Sequence, residues 1–238
     1  MARTRGAATA VRDQEAERRP SLVDDAYAAL KRAIQDSSFA PGYQASEQEI
    51  ALRLGMSRTP VHEAVIRLQE DGLVRVLSRR GVLICALAPE DMREIYDVIV
   101  AVEGRAAELL ASLPDAAREA AVSELAGYTE TMAQAWQAGD LPVWGQADAR
   151  FHRALVERAG NGRMTRIIQT ITDQSHRARM LTLKLRRELG ASVAEHRAII
   201  DAIRLGDSVA AQGRVHDHRL RARDELLPLL ESFGLRHL

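Results

Sequence analysis

The sequence predicts a mainly α-helical chain in two parts: three short helices with a β-hairpin, then an all-α antiparallel bundle of six longer helices. Three observations lead there. Apolar residues recur at three- and four-residue steps from residue 22 onward, the period of a helix buried along one face. Glycine, proline and capping residues cut that pattern into segments of helical length. β-like runs occur only on either side of Ser78-Arg79-Arg80-Gly81. The expected division is a mobile tail at 1–19, a first domain at 20–88 and an all-α domain at 89–234.

The opening MARTRGAATAVRDQEAERRP mixes Ala, Arg and acids without an apolar period, so no element is assigned to it. Leu22, Val23, Ala26, Leu30 and Ile34 then mark an amphipathic helix that ends before the Ala40-Pro41-Gly42 turn. Ser46 with Glu49 fits a capping box for a second helix through Leu54, which Gly55 breaks. Ser57 is placed to cap a third, with Pro60 tolerated in its first turn and Gly72 as its stop. Leu73 to Leu77 and Val82 to Ala86 form the hairpin. Two short helices broken by a glycine and followed by a basic hairpin describe a winged helix-turn-helix, whose third helix enters the major groove of DNA.

The bundle helices are expected near 89–112, 115–138, 141–159, 163–188, 192–205 and 207–232. Pro89-Glu90-Asp91 suits a first turn, and Ser192 with Glu195 reads as another capping box. Gly160, Gly190 and Gly206 fall at the proposed breaks.

With 33 Lys and Arg against 33 Asp and Glu, the chain is no generic polyanion binder. The charge is instead polarised: Leu52 to Arg80 holds six Arg and three acids, a basic patch on the first domain. The single cysteine, Cys85, cannot build a disulfide framework, so a cytoplasmic location is expected. The longest strongly apolar run, Val98 to Val102, is far short of the about 20 residues a membrane helix needs, and no membrane association is expected.

Histidine is concentrated in the bundle. Asp148 and His152, four apart, leave one helical face, and His196 heads the apolar stripe Ile199, Ile200 and Ile203. His218 follows the stripe Ala211, Val215, Ala222 and Leu226, whereas His216 lies with Gln212, Arg219 and Arg223; His176 lies on a polar face with Arg179. Asp148, His152, His196 and His218, from three helices, thus all face the core, and imidazole with carboxylate suits a divalent first-row metal. A metal-dependent hydrolase would also need a spare inward carboxylate as general acid or base, and the stripes offer none.

The run SEQEIALRLGMSRTPVHEAVIRLQEDGLV with RRGVLI closely resembles the DNA-binding domain of the GntR family of bacterial transcription regulators, over roughly residues 22 to 88. The resemblance implies that Arg58 reads bases, Ser57 and Thr59 hold phosphates, and Arg80 and Gly81 form the wing tip. Gln48 stands where some members have Arg, and His62 replaces the family's usual Arg. DARFHRALVERAGN, EHRAIIDAIRLGD and His218 resemble the FCD effector domain of FadR-type members. That resemblance implies one metal held by Asp148, His152, His196 and His218, with zinc the first choice and nickel or manganese the others. It also implies a small-molecule effector, an organic acid as a rule, a homodimer on double-stranded operator DNA, and repression relieved by effector. Six helices suit the VanR-like branch. Ile99 stands where many members place an Arg toward the effector, so Arg177 is the candidate cation instead. The alternative is a metal-free dimeric DNA-binding regulator with structural histidines, and a hydrolase ranks behind it.

Overall fold

The computed structural model describes residues 21–86, 88–186 and 189–232; the expected tail at 1–19 lies outside the described residues. α1 (Leu22–Gln35) starts at a capping box, the Asp24 amide donating to Ser21 Oγ at 3.1 Å and the Ser21 amide to Asp24 Oδ2 at 3.2 Å. Its stripe of Ala26, Leu30 and Ile34 is fully buried. Leu22, expected on that stripe, is exposed, because the first turn extends past the core.

A two-residue strand β1 (Gln44–Ala45), too short to show a period, precedes α2 (Glu47–Leu54). Only half of the expected capping box forms there. Ser46 Oγ accepts from the Glu49 amide at 3.1 Å, while the Glu49 carboxylate is taken by Tyr43 Oη and Arg53. Gly55 ends α2 in the left-handed region, and α3 (Arg58–Glu70) follows from Ser57 at its N-cap. The Ser57 side chain makes no capping hydrogen bond.

β2 (Val74–Leu77) and β3 (Gly81–Ile84) pair antiparallel, and β1 joins the other side of β3 to give the order β1-β3-β2. The pairing of Ala45 with Val82 draws β1 so close to the tip that a Cβ on Gly81, at φ +90°, would strike the Ala45 carbonyl oxygen. Helices and sheet enclose one core, with Leu30, Ile34, Ile50, Val61, Leu68 and Ile84 at its centre.

Six helices follow: α4 (Pro89–Ala111), α5 (Asp115–Ala138), α6 (Leu141–Arg158), α7 (Gly162–Leu183), α8 (Leu189–Arg204) and α9 (Ser208–Ser232). α4 lies along α9, and α5 packs on α6 and α8. Leu110, Leu125, Phe151, Leu155, Ile199 and Val215 fill the middle of this bundle.

Two expectations fail between α7 and α8. The break comes earlier than residue 188, at a turn in which the Leu185 and Arg186 amides donate to the Thr182 carbonyl. Gly190, read as the break, falls beyond the turn, which holds no glycine or proline of its own; Leu183 and Leu189 flank it and are both drawn into one cluster with Met132 and Trp144. α8 consequently begins at Leu189, so Ser192 is buried inside the helix instead of capping it. Gly190 is also helical, and its missing side chain leaves room for the Trp136 indole, which a Cβ would meet at 3.0 Å.

Candidate functional site

α6 presents Asp148 and His152 one turn apart, α8 brings His196 and α9 brings His218, all at most 5% exposed. Their ligand-capable atoms lie within 4.8 Å of one another. His216 points to solvent.

Two of the three histidine rings, His152 and His218, are oriented from outside the cluster. His152 Nδ1 sits 2.9 Å from Glu103 Oε2 and His218 Nδ1 sits 2.6 Å from Glu195 Oε2. Burial alone would raise both carboxyls, but the Arg219 charge and His152 hold Glu103 at about 2, and His218 with Arg221 holds Glu195 at about 2. An ionised carboxylate only accepts, so each Nδ1 must carry the proton, and each ring turns its Nε2 toward the centre of the cluster. Those two Nε2 atoms face each other at 3.2 Å, and His196 Nε2 lies 3.3 Å from His218 Nε2. Asp148 Oδ1 completes the set, 3.6 Å from His152 Nε2 and 3.8 Å from His196 Nε2.

One shared proton at most can sit among these acceptors, whereas a cation satisfies all of them. Metal–ligand bonds of about 2.0 to 2.2 Å separate neighbouring tetrahedral donors by about 3.3 to 3.6 Å, so the residues fit a divalent ion. Burial and the neighbouring imidazoles lower the His218 pKa to about 4, and His196 well below its usual value, leaving both neutral and able to ligate. Burial raises Asp148, but the Arg179 charge and His152 outweigh it and keep the carboxyl well below its usual range.

The supporting shell corrects several readings of the sequence. Arg219, grouped with the solvent-facing His216, is buried and grips Glu103 with Nε and Nη2. Glu103 is an inward carboxylate where none was expected, lying on the α4 stripe with Ile99, Ala106 and Ala107; it holds the outer edge of His152. Arg179, placed on a polar face, pairs with Asp148 Oδ2. Glu195 and Ser192, read as a cap, instead bind Arg221 and, through Glu195, His218. Gln174 on α7 donates to the Asp71 carbonyl at the end of α3. The side chain of Arg177 lies outside the described residues. Ile99 is buried in apolar surroundings.

At the other end of the chain, α2, the start of α3 and the hairpin enclose an open groove of about 640 Å³. Gln48, Arg58, Thr59, His62 and Gly81 line it, with Arg79 reaching in where Arg80 was expected. Ser57 and Arg80 are exposed beside it. Glu47, which the sequence left without a role, lies 2.8 Å from His62 Nδ1 and 3.6 Å from Arg58 Nε, and so steadies both basic groups in the groove.

Residues 94–221 match the family model of the FCD domain, and residues 22–84 match that of bacterial regulatory proteins of the gntR family. The chain belongs to the GntR family. It is a transcription regulator built to bind DNA, and not an enzyme. It is 54% identical over 134 residues to an HTH-type transcriptional regulator of the TAR-I ttuE-ttuC' intergenic region of Agrobacterium vitis, covering 56% of this chain and 78% of that one. It is 25% identical over 192 residues to the transcriptional repressor RspR of Escherichia coli K12, covering 81% and 83%. The fold matches E. coli McbR/YncC with a TM-score of 0.72 at 19% identity, covering 90% and 99% of the two chains. It also matches a GntR regulator from Rhodococcus sp. RHA1 with a TM-score of 0.70 at 25% identity, covering 87% and 97%. No helix among the described residues is long and apolar enough to cross a membrane.

Proposed function

We propose that this GntR regulator is a cytoplasmic homodimeric repressor whose grip on a palindromic operator is set by an anionic small molecule bound at a metal in the bundle. Residues 20–88 read the DNA, and residues 89–234 hold metal and effector and dimerise. Within the family, six bundle helices among the described residues support the VanR-like branch of the FadR subfamily.

The observation that carries the reading is the pair of Nε2 atoms of His152 and His218 turned on each other at 3.2 Å, each ring with its Nδ1 proton committed to a carboxylate behind it. Asp148, His152, His196 and His218 would hold the ion, zinc first and nickel or manganese as the other candidates. When bound, the ion supplies Lewis acidity and two positive charges. Asp148, Glu103 and Glu195 are already paired with Arg179, Arg219 and Arg221, so their negative charges are answered without the ion. That leaves charge at the centre for an organic acid to meet, in place of the arginine that Ile99 replaces. At the groove, Arg58 reads a base edge, Ser57 and Thr59 hold phosphates, Gln48 and His62 add polar contacts, and Arg80 and Gly81 carry the wing.

Elemental analysis of untagged protein tests this, with operator titrations before and after chelation. One ion per chain and an operator affinity that shifts on chelation are expected. A content far below one per chain, unchanged after reconstitution with zinc, nickel or manganese, overturns the metal and leaves a metal-free dimeric regulator.

A further inference from the structure

A second cleft, of about 390 Å³, lies where the first helices meet the bundle. Tyr27 and Lys31 of α1 and Asp71 after α3 form one wall; Arg153 of α6 and Arg166 and Thr170 of α7 face them. Its acids are engaged. Asp71 accepts from Tyr27 Oη at 2.5 Å, and Asp173 pairs with Lys31 and accepts from Gln35 Nε2 at 3.3 Å. Arg153 and Arg166 differ: neither side chain has a hydrogen-bond or ion-pair partner among the described residues. Two guanidinium groups from different helices therefore border one cleft with no anion to answer them.

We infer that this cleft binds a phosphate ester of a small polyhydroxylated metabolite, its phosphoryl group between Arg153 and Arg166. Two guanidinium forks offer about ten N–H donors, more than a carboxylate's about four acceptor sites use and well matched to a phosphoryl group's three terminal oxygens. The cavity falls in the range of small-molecule sites and exceeds what a lone phosphate fills. Its remaining wall is polar, with Gln169, Thr170 and Thr172, which suits hydroxyl groups. Thr170 Oγ1 spends its proton on the Arg166 carbonyl at 3.3 Å and so turns lone pairs outward as an acceptor. The site is separate from the metal centre, and its ligand would tie α6 and α7 to the end of the DNA-reading helix.

Calorimetric titration of the full-length, metal-loaded protein with ribose 5-phosphate, inorganic phosphate and ribose, at constant ionic strength, tests the inference. Ribose 5-phosphate should bind once per chain, phosphate more weakly, and ribose not measurably. The exposed pair Arg153→Gln and Arg166→Gln together should weaken ribose 5-phosphate by about tenfold or more, with metal content and unliganded melting temperature unchanged. Lysine at both positions should recover part of the affinity. No saturable binding up to about 10 mM overturns the inference. So does binding that persists in the double glutamine variant, and persistence there with loss on chelation would assign the phosphate to the metal instead.

Discussion

Replacing Arg219 with alanine should destabilise the bundle strongly at neutral pH and far less in acid. Glu103 is 1% exposed, and its carboxyl is held at about 2 by Arg219 and His152 despite its burial. Arg219→Ala leaves that carboxylate with one partner, the His152 Nδ1–H, in surroundings that penalise charge. Breaking a buried pair in this way costs about 3 to 5 kcal/mol. At about 2 to 4 °C per kcal/mol for a chain of this size, the melting temperature should fall by roughly 10 °C. The pH dependence carries the diagnosis. In the native protein Glu103 has a depressed pKa, so its contribution is full above about 4.5 and is lost only as pH falls toward 2. In the variant, burial without Arg219 raises that pKa above the unfolded value, so protonation relieves the penalty as pH falls. Calorimetric melts of chelated native and variant protein at pH 7.5 and 5 should show the gap narrowing. Glu103→Leu with Arg219→Met should restore most of the stability while still costing about 10- to 100-fold in metal affinity, because His152 loses its orienting partner. A loss from Arg219→Ala under about 1 kcal/mol, or one of equal size at both pH values, would refute the reasoning.

The depressed pKa of His218, about 4, means that the unfolded chain takes up a proton on that residue between about pH 6.5 and 4 while the folded chain does not. The chelated protein should therefore lose up to about 3 kcal/mol as pH falls through that window, and a flat melting temperature from pH 7 to 5 would count against the buried neutral imidazole. Gly81→Ala should displace the wing from β1 and cost about 1 to 3 kcal/mol, seen in the melt and as weaker operator binding in footprinting. Arg58→Ala should cost about 1 to 3 kcal/mol per half-site on specific DNA, and an equal loss on random DNA would reduce Arg58 to a phosphate contact.

That Asp148, His152, His196 and His218 face one another was legible because they obey helical periodicity. Asp148 and His152 are four apart, and His196 and His218 each continue a stripe of Ile, Val or Ala. The arginines and glutamates that support them obey it too. Glu103 lies on the stripe of Ile99, Ala106 and Ala107, and Arg219 follows Val215 by four and precedes Ala222 by three. A lone charged residue on an apolar stripe reads as the edge of the buried face, since burying it is costly without a partner, and the partner lies on another helix more than 100 residues away. The α7–α8 turn was hidden for a related reason: it is set by the packing of Leu183 and Leu189 on Trp144, with no local breaker to announce it. β1 pairs only through the edge of β3, a partner about 38 residues away that no pattern within two residues can specify.

Helix α7 touches both ends of the molecule's business within about a turn and a half. Asp173 and Gln174 hold Lys31 and the carbonyl of Asp71, and Arg179 holds the outer oxygen of Asp148. Gln174 and Arg179 are five positions apart, a span of about 8 Å along a helix, so the rod has little room to bend between them. Reciprocity then constrains how such a molecule behaves in a cell. If filling the Asp148 cluster changes operator affinity by some factor, engaging the operator must change the cluster's hold on its ion by the same factor. A promoter-bound copy and a free copy would thus sample the metal supply differently, and the amount of metal released or captured when competitor DNA strips the protein from its operator would measure the coupling.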